Sequence, residues 1–147
     1  MISETVKETF LIGSKITNGG AVNVTHTIDL PMVEEFDIIS LTVCKAAGQA
    51  ASAPVVQTLG SHSSADDVDF SADHTVDNRW FFVGHSNSVT GQVTADARTG
   101  TLTAGVVVEE LVFNTDYIRS GAVRVVLEPG QTLDGIYITR SKTQPSF

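Results

Sequence analysis

Residues 122–140 read AVRVVLEPGQTLDGIYITR, and this stretch decides the fold class. From Ala122 to Leu127, and again from Gly135 to Arg140, apolar side chains alternate with polar or exposed ones, which is the period of a half-buried β-strand. Between them, Pro129-Gly130 is a turn signal. The stretch predicts two consecutive strands, which need not pair with each other.

The same pattern extends along the rest of the chain. Val, Thr, Ile and Phe recur in short runs, while the strong helix formers never gather into an amphipathic helical period. The other candidate strands are Glu8–Ile12, Val22–Ile28, Phe36–Cys44, Pro54–Leu59, Val68–Ser71, Trp80–Val83, Val89–Ala95, Thr101–Val108 and Val112–Phe113. The sequence therefore predicts an all-β protein.

The segment Ser88–Val108 carries the clearest hairpin signal. Apolar or small residues alternate over Val89–Ala95, a turn-like segment follows at residues 96–100, and the alternation resumes at Leu102. This pattern predicts a hairpin in which Gly100 takes a positive φ.

About eight to ten short strands at this spacing predict a two-sheet antiparallel sandwich of the jelly-roll kind. Asn18-Gly19-Gly20 and Leu30-Pro31 are turns rather than linkers, so residues 1–147 are predicted to form one domain. An up-and-down barrel that encloses a small ligand is the alternative. Residues 46–53 are predicted to form a loop in preference to a short helix.

Composition excludes several classes of function. The 147 residues include 9 Lys and Arg against 17 Asp and Glu, a formal charge of -8, so neither nucleic acid nor an anionic membrane is an expected partner. The first residues do not resemble a secretory signal, which predicts synthesis in the host cytoplasm. The single cysteine, Cys44, follows an apolar run and is predicted to be a small buried hydrophobe.

The sequence contains no recognisable catalytic constellation. Gly84–Ser88 resembles a nucleophile elbow, but Ser88 stands where glycine is required and no helix follows. The adjacent carboxylates of Glu34-Glu35 and of Glu109-Glu110 point to opposite faces of a strand and cannot flank one bond. With no phosphate loop and no ligand spacing among the histidines, we expect a non-enzyme without cofactor or metal.

An acidic stretch and an aromatic cluster remain as candidate sites. The stretch Asp66–Asp77 holds five aspartates and is interpreted as an acidic edge strand, with a cation site as the open alternative. Within Trp80-Phe81-Phe82, Phe81 must face away from its two neighbours. The aromatic residues predicted to contact a partner are Trp80, Phe82, Tyr137 and Phe147.

In length, acidity, Thr and Val content, and a closing strand over Gly130–Arg140, the chain resembles the small β-sandwich decoration, or cement, proteins of tailed bacteriophages. The resemblance implies a trimer or dimer on the outer surface of the virion that contacts the major capsid protein and stabilises the shell. It further implies that strand edges and the two short termini make the contacts.

Three alternatives stay open. A carbohydrate-binding module would use an exposed Trp80 as a platform. Another small tail or fibre component of a phage would share the same length, acidity and composition. A small enzyme of the cupin kind would need at least two histidines and a carboxylate inside a barrel.

Overall fold

A computed structural model describes residues 2–30, 38–45, 53–62, 80–94, 100, 102–114 and 118–146. Over these residues the chain is all-β, with no helix that could span a membrane. The strands are β1 Ile2–Gly13, β2 Ile16–Thr17, β3 Val24–Leu30, β4 Ile38–Lys45, β5 Val55–Ser61, β6 Trp80–Phe82, β7 His85–Asn87, β8 Val93–Thr94, β9 Val108–Asn114, β10 Ser120–Leu127 and β11 Thr132–Ser146.

Two antiparallel sheets pack against each other. The larger sheet has the order β1-β11-β4-β9-β7-β8, with β2 beside β11, and the smaller sheet has the order β3-β10-β5-β6. When the short β2, β7 and β8 are set aside, the two sheets have the strand orders β1-β11-β4-β9 and β3-β10-β5-β6, which is the wrapped arrangement of a jelly roll. The predicted sandwich is confirmed.

The core lies between the sheets and follows strand alternation. Ile39, Leu41 and Val43 of β4 point inward, as do Val123 and Val125 of β10. Every second side chain is apolar because each strand has one face toward the opposite sheet. The other buried members of this core are Leu30, Val56, Leu111, Phe113, Ile118, Leu127, Leu133, Ile136 and Ile138.

The closing region folds as its sequence predicts. The N–H of Gln131 donates to the carbonyl of Glu128 at 3.0 Å, and Gly130 has φ +84°, so Pro129-Gly130 is a tight turn. The strands on either side, β10 and β11, lie in different sheets and do not pair with each other. The turn thus carries the chain from one layer of the sandwich to the other.

The predicted hairpin over Ser88–Val108 is wrong. The chain reverses at residues 88–91, because the side-chain oxygen of Asn87 accepts the N–H groups of Val89 and Thr90, and Gly91 takes φ +78°. Gly100 has the predicted positive φ of +66°, but the described residues that follow it, Leu102–Val107, are not a strand.

The strand predicted at Thr101–Val108 is also corrected, since β9 begins only at Val108. Over Leu102–Val107 the chain is a loop, held where the N–H of Thr103 donates to the carboxylate of Glu109. In contrast, β1 is longer than predicted, since it pairs with β11 from Ile2 to Gly13.

The burial predicted for Cys44 is a third correction. Alternation along β4 turns Leu41, Val43 and Lys45 inward and Cys44 outward, where it is half-buried. The prediction of a buried Cys44 was wrong because Cys44 lies between two inward residues, Val43 and Lys45. The apolar run does not show which of its residues point outward. Residues 46–52 of the predicted loop 46–53, and the predicted strand Val68–Ser71, lie outside the described residues.

Candidate interaction surfaces and a buried polar cluster

The outward side of the larger sheet, which we call the low-charge face, gathers exposed apolar side chains. Eight large apolar residues of the described chain are exposed, and five of them lie on this face. They come from five different strands of one sheet: Leu11, Ile38, Val93, Val108 and Tyr137. Leu11 and Tyr137 are direct neighbours across the ladder, and exposed apolar groups that share one surface can form a contact site between proteins.

Tyr137 lies on β11, the second strand of the larger sheet, and is 41% exposed. It pairs across the ladder with Leu11 on one side and with Thr42 on the other. Among the three predicted partner contacts that the structure describes, Trp80, Phe82 and Tyr137, only Tyr137 is exposed.

Hydroxyl groups occupy much of the remaining area of the low-charge face. The hydroxyls of Thr9 and Thr139 hydrogen-bond to each other at 2.9 Å across β1 and β11. The charged residues described on this face are few: Lys7 on the edge strand, Asp134 at a bulge, and Glu110, which accepts a hydrogen bond from Ser88 at 2.8 Å. Over the described residues, the low-charge face therefore carries three charged side chains beside five exposed apolar ones.

The two ends of the chain form a ribbon at one edge of the larger sheet. Strand β11 pairs with β4 as far as Ser141, whereas its pairing with β1 continues to Ile2↔Ser146. In the part of the chain that the structure describes, residues 2–6 and 142–146 therefore pair with each other alone. We call these two segments the terminal ribbon.

One cluster fastens this edge to the sandwich. Arg140 of β11 forms an ion pair with Glu8, its direct neighbour on β1. The Arg140 guanidinium also lies over the ring of Phe10, with its central carbon 4.8 Å from the ring centroid. Strand β1 is an edge strand of 12 residues, and long open edges are templates for pairing with another chain.

Trp80 and Phe82 lie on the other side of the molecule, on the outward side of the smaller sheet. Trp80 is 8% exposed and packs with Leu59 and Ala122, with Phe82 partly buried beside them. Phe81 points the opposite way, into the main core, which confirms the predicted alternation. Trp80 thus offers no open aromatic platform, and Phe147 and Asp66–Asp77 fall outside the described residues.

A polar cluster is buried at one end of the sandwich interior. Lys45 and Glu109 form an ion pair of 2.8 Å, with side chains 2% and 0% exposed. The second oxygen of Glu109 accepts the amide of Asn87 at 3.0 Å, and the N–H of Thr103 donates to both oxygens at 3.0 Å. Lys45 Nζ also donates to the carbonyl of Thr103. The carboxylate is thereby saturated with donors, as a buried charge requires.

A second buried contact joins the two sheets. The hydroxyl of Thr58 on β5 lies 2.9 Å from Nδ1 of His85 on β7 and donates to the carbonyl of Val83. Because that hydroxyl has one proton, Nδ1 of His85 acts as the donor in this contact. Burial lowers the pKa of His85, since the interior disfavours the charged imidazolium.

Lys45 and Asn87 were not singled out from the sequence, and Glu109 was considered only as the neighbour of Glu110 on the opposite face of a strand. A usable signal was present: Lys45 continues the inward series of Leu41 and Val43, and Glu109 precedes Leu111 by two residues. A charged residue at an inward position of a strand predicts a buried pair. Among the described residues, no three His, Cys, Asp or Glu side chains converge as metal ligands.

No protein-family model matches the chain, and no curated protein matches it by sequence. Among solved structures, it is similar to the SPBc2 prophage-derived protein YomS, with 10% identity and a TM-score of 0.51 over 97% of this chain and 98% of that one. The 60-mer BFDV capsid protein is a more distant match, with 14% identity and a TM-score of 0.28 over 99% and 97% of the two chains. The first likeness is one of fold.

Proposed function

We propose that this chain is a non-enzymatic structural protein of a virion, and in particular a capsid decoration protein. The low-charge face is the observation that carries the proposal. Copies of a chain with charge -8 repel one another, so they associate where charge is sparse and apolar groups are exposed. In the part of the chain that the structure describes, the low-charge face meets both conditions, and we assign it to self-association as a dimer or trimer.

The terminal ribbon and the open edge of β1 supply the second contact in this proposal. Free backbone N–H and C=O groups along an edge strand can bind an extended segment of another protein. In our proposal they bind neighbouring copies of the major capsid protein on the outer surface of the shell. Several weak edge contacts from one oligomer add through avidity.

The fold similarity to a prophage-derived protein supports a phage origin for this architecture. A glycan-binding role receives less support, because Trp80 is 8% exposed and packs against Leu59 and Ala122. A tail or fibre component would use the same surfaces, so an experiment has to distinguish that role from capsid decoration.

The decisive experiment combines light scattering after size exclusion with co-sedimentation on shells assembled without this protein. We expect the wild-type chain to be a dimer or trimer that sediments with shells, and Tyr137→Arg to be a folded monomer that binds them weakly. Val22→Arg is the matched control, because Val22 is exposed in a loop away from the low-charge face. If the wild-type protein does not sediment with shells but binds purified tails, the proposed decoration role is wrong.

A further inference from the structure

Half of the exposed large apolar side chains in the described chain lie in two short segments at one end of the sandwich. Four of the eight belong to residues 88–93 and 102–108, and each is 47–75% exposed: Val89, Val93, Val107 and Val108. Neither segment contains an Asp, Glu, Lys, Arg or His residue. We call these two segments the valine tip.

We propose that the valine tip is a contact with a second copy of this chain, and that the buried cluster of Lys45, Asn87 and Glu109 positions it. This contact rests on the proposed function, because it specifies where the proposed self-association takes place. Val93 and Val108 belong both to the valine tip and to the low-charge face, so the two surfaces are continuous.

The buried cluster fixes the first segment of the valine tip through Asn87. Nδ2 of Asn87 donates to Oε1 of Glu109 at 3.0 Å. Oδ1 accepts the N–H groups of Val89 at 3.1 Å and of Thr90 at 3.2 Å. The backbone N–H of Asn87 closes the same turn by donating to the carbonyl of Gln92 at 2.8 Å. One buried side chain therefore holds the turn that presents Val89.

The same cluster fixes the second segment through Glu109 and Lys45. The N–H of Thr103 donates to both oxygens of Glu109 at 3.0 Å, and Nζ of Lys45 donates to the Thr103 carbonyl. The backbone N–H of Lys45 donates to the carbonyl of Val107 at 2.7 Å. Both segments are thus anchored on one carboxylate. A surface held in place before association loses less conformational entropy when it binds.

Charge favours a second copy of the chain as the occupant of the valine tip. Each copy has a formal charge of -8, so two copies repel each other most where acidic groups meet. Around a symmetry axis the same segments of the copies face each other, and the valine tip brings no charge to that contact. A basic partner would instead be recognised by acidic side chains, which these two segments lack.

The valine tip and the terminal ribbon lie at opposite ends of the sandwich. Strand β11 begins beside the buried cluster, where Leu133 pairs with Lys45, and it ends where Ser146 pairs with Ile2. Substitutions in the valine tip therefore leave the terminal ribbon unchanged. Self-association and binding to shells can be measured separately for this reason.

The test is the dissociation constant of self-association, measured by sedimentation velocity over a range of concentrations. We expect Val89→Arg and Val107→Arg each to weaken association at least about 30-fold, because a charge then lies in an apolar contact. Val22→Arg is the matched control, since Val22 is 72% exposed in the loop before β3, and it should associate like the wild type. Each added Arg reduces the net negative charge, so stronger net repulsion cannot explain a weaker association.

Asn87→Ala tests the positioning role of the cluster. The change frees the first segment while the valines and the charge of the valine tip stay the same. We expect a cooperative thermal transition but weaker association, and wild-type association by the folded variant overturns the positioning role. Amide hydrogen exchange of the wild-type chain is the second readout. The N–H groups of Val89 and Thr90 should exchange slowly, and exchange as fast as in an unstructured chain also overturns that role.

The other outcomes separate the valine tip from the proposed function. Wild-type association by both Val89→Arg and Val107→Arg overturns the contact, and if Tyr137→Arg is a monomer in the same assay, the proposed function stands without it. A wild-type monomer that sediments with shells, and loses this binding in both variants, overturns the contact in favour of the capsid protein as the occupant. A wild-type monomer whose binding to shells does not depend on the valine tip overturns both this contact and the proposed self-association.

Discussion

Nζ of Lys45 lies 2.8 Å from a carboxylate oxygen of Glu109 in the interior of the sandwich, and both side chains are buried. Each charge of this buried pair depends on the other, because removal of one partner leaves the other buried and unpaired. This dependence makes the pair the most sensitive polar element of the described core.

Replacing Lys45 by Met should therefore lower the free energy of unfolding by about 3–5 kcal/mol, since Glu109 would be left buried without its cation. Adding Glu109→Gln should recover part of this loss by removing the isolated charge. Denaturant titration measures both effects. The control Lys7→Met, on the exposed edge strand, should change stability by less than about 0.5 kcal/mol. Equal effects of the two Lys variants would contradict the prediction.

The buried His85 should make stability depend on pH. Its folded pKa lies below the ordinary value of 6.5, so below about pH 6.5 the unfolded chain binds a proton that the folded chain does not. Stability is then full at neutral pH and falls as the pH drops, by at most about 1.4 kcal/mol per pH unit, until the folded imidazole also protonates.

The variant His85→Gln isolates this effect. The difference between wild-type and variant unfolding free energies, measured from pH 5 to pH 8, should shrink toward acid. A difference that stays constant over this range would mean that His85 does not titrate differently in the two states.

Close packing at Gly60 should make that position intolerant of a larger residue. A Cβ there would meet Ile118 at less than van der Waals separation and the Val83 methyl at 2.9 Å. We expect Gly60→Ala to cost about 1–3 kcal/mol, seen as a lower thermal midpoint. Gly19→Ala is the matched control because its Cβ would meet nothing within 4 Å. Similar thermal midpoints for the two variants would show that the residues around Gly60 can move to accommodate an added methyl group.

The terminal ribbon should be dispensable for folding but required for capsid binding under the proposed function. Residues 142–146 pair with β1 alone, whereas Leu133–Ser141 of β11 also pair with β4 and supply Ile136 and Ile138 to the core. Deleting residues 142–147, or residues 1–6, should leave a cooperative thermal transition by circular dichroism.

Co-sedimentation with shells should weaken for both truncated chains, while light scattering still gives the wild-type oligomer. Undiminished binding by both truncations would contradict the assignment of the ribbon to the capsid contact.

Much of the local structure followed from alternation alone. The period of two identified most strands, placed Phe81 opposite Trp80 and Phe82, and placed Glu109 and Glu110 on opposite faces. Alternation predicted the wrong structure where a side chain hydrogen-bonds to the backbone and turns the chain. The carboxamide of Asn87 turns the chain at residues 88–91, so the alternation after Val89 does not become a long strand.

The sequence by itself determined the all-β class, the turn at Pro129-Gly130 and the face on which most strand residues lie, because these depend on neighbours within a few positions. Only the tertiary structure decided that Ile2 pairs with Ser146, and that Lys45, Asn87 and Glu109 meet in the interior. Those contacts join residues far apart in the chain. Their pairing depends on the wrapping of the two sheets, for which short-range alternation carries no information.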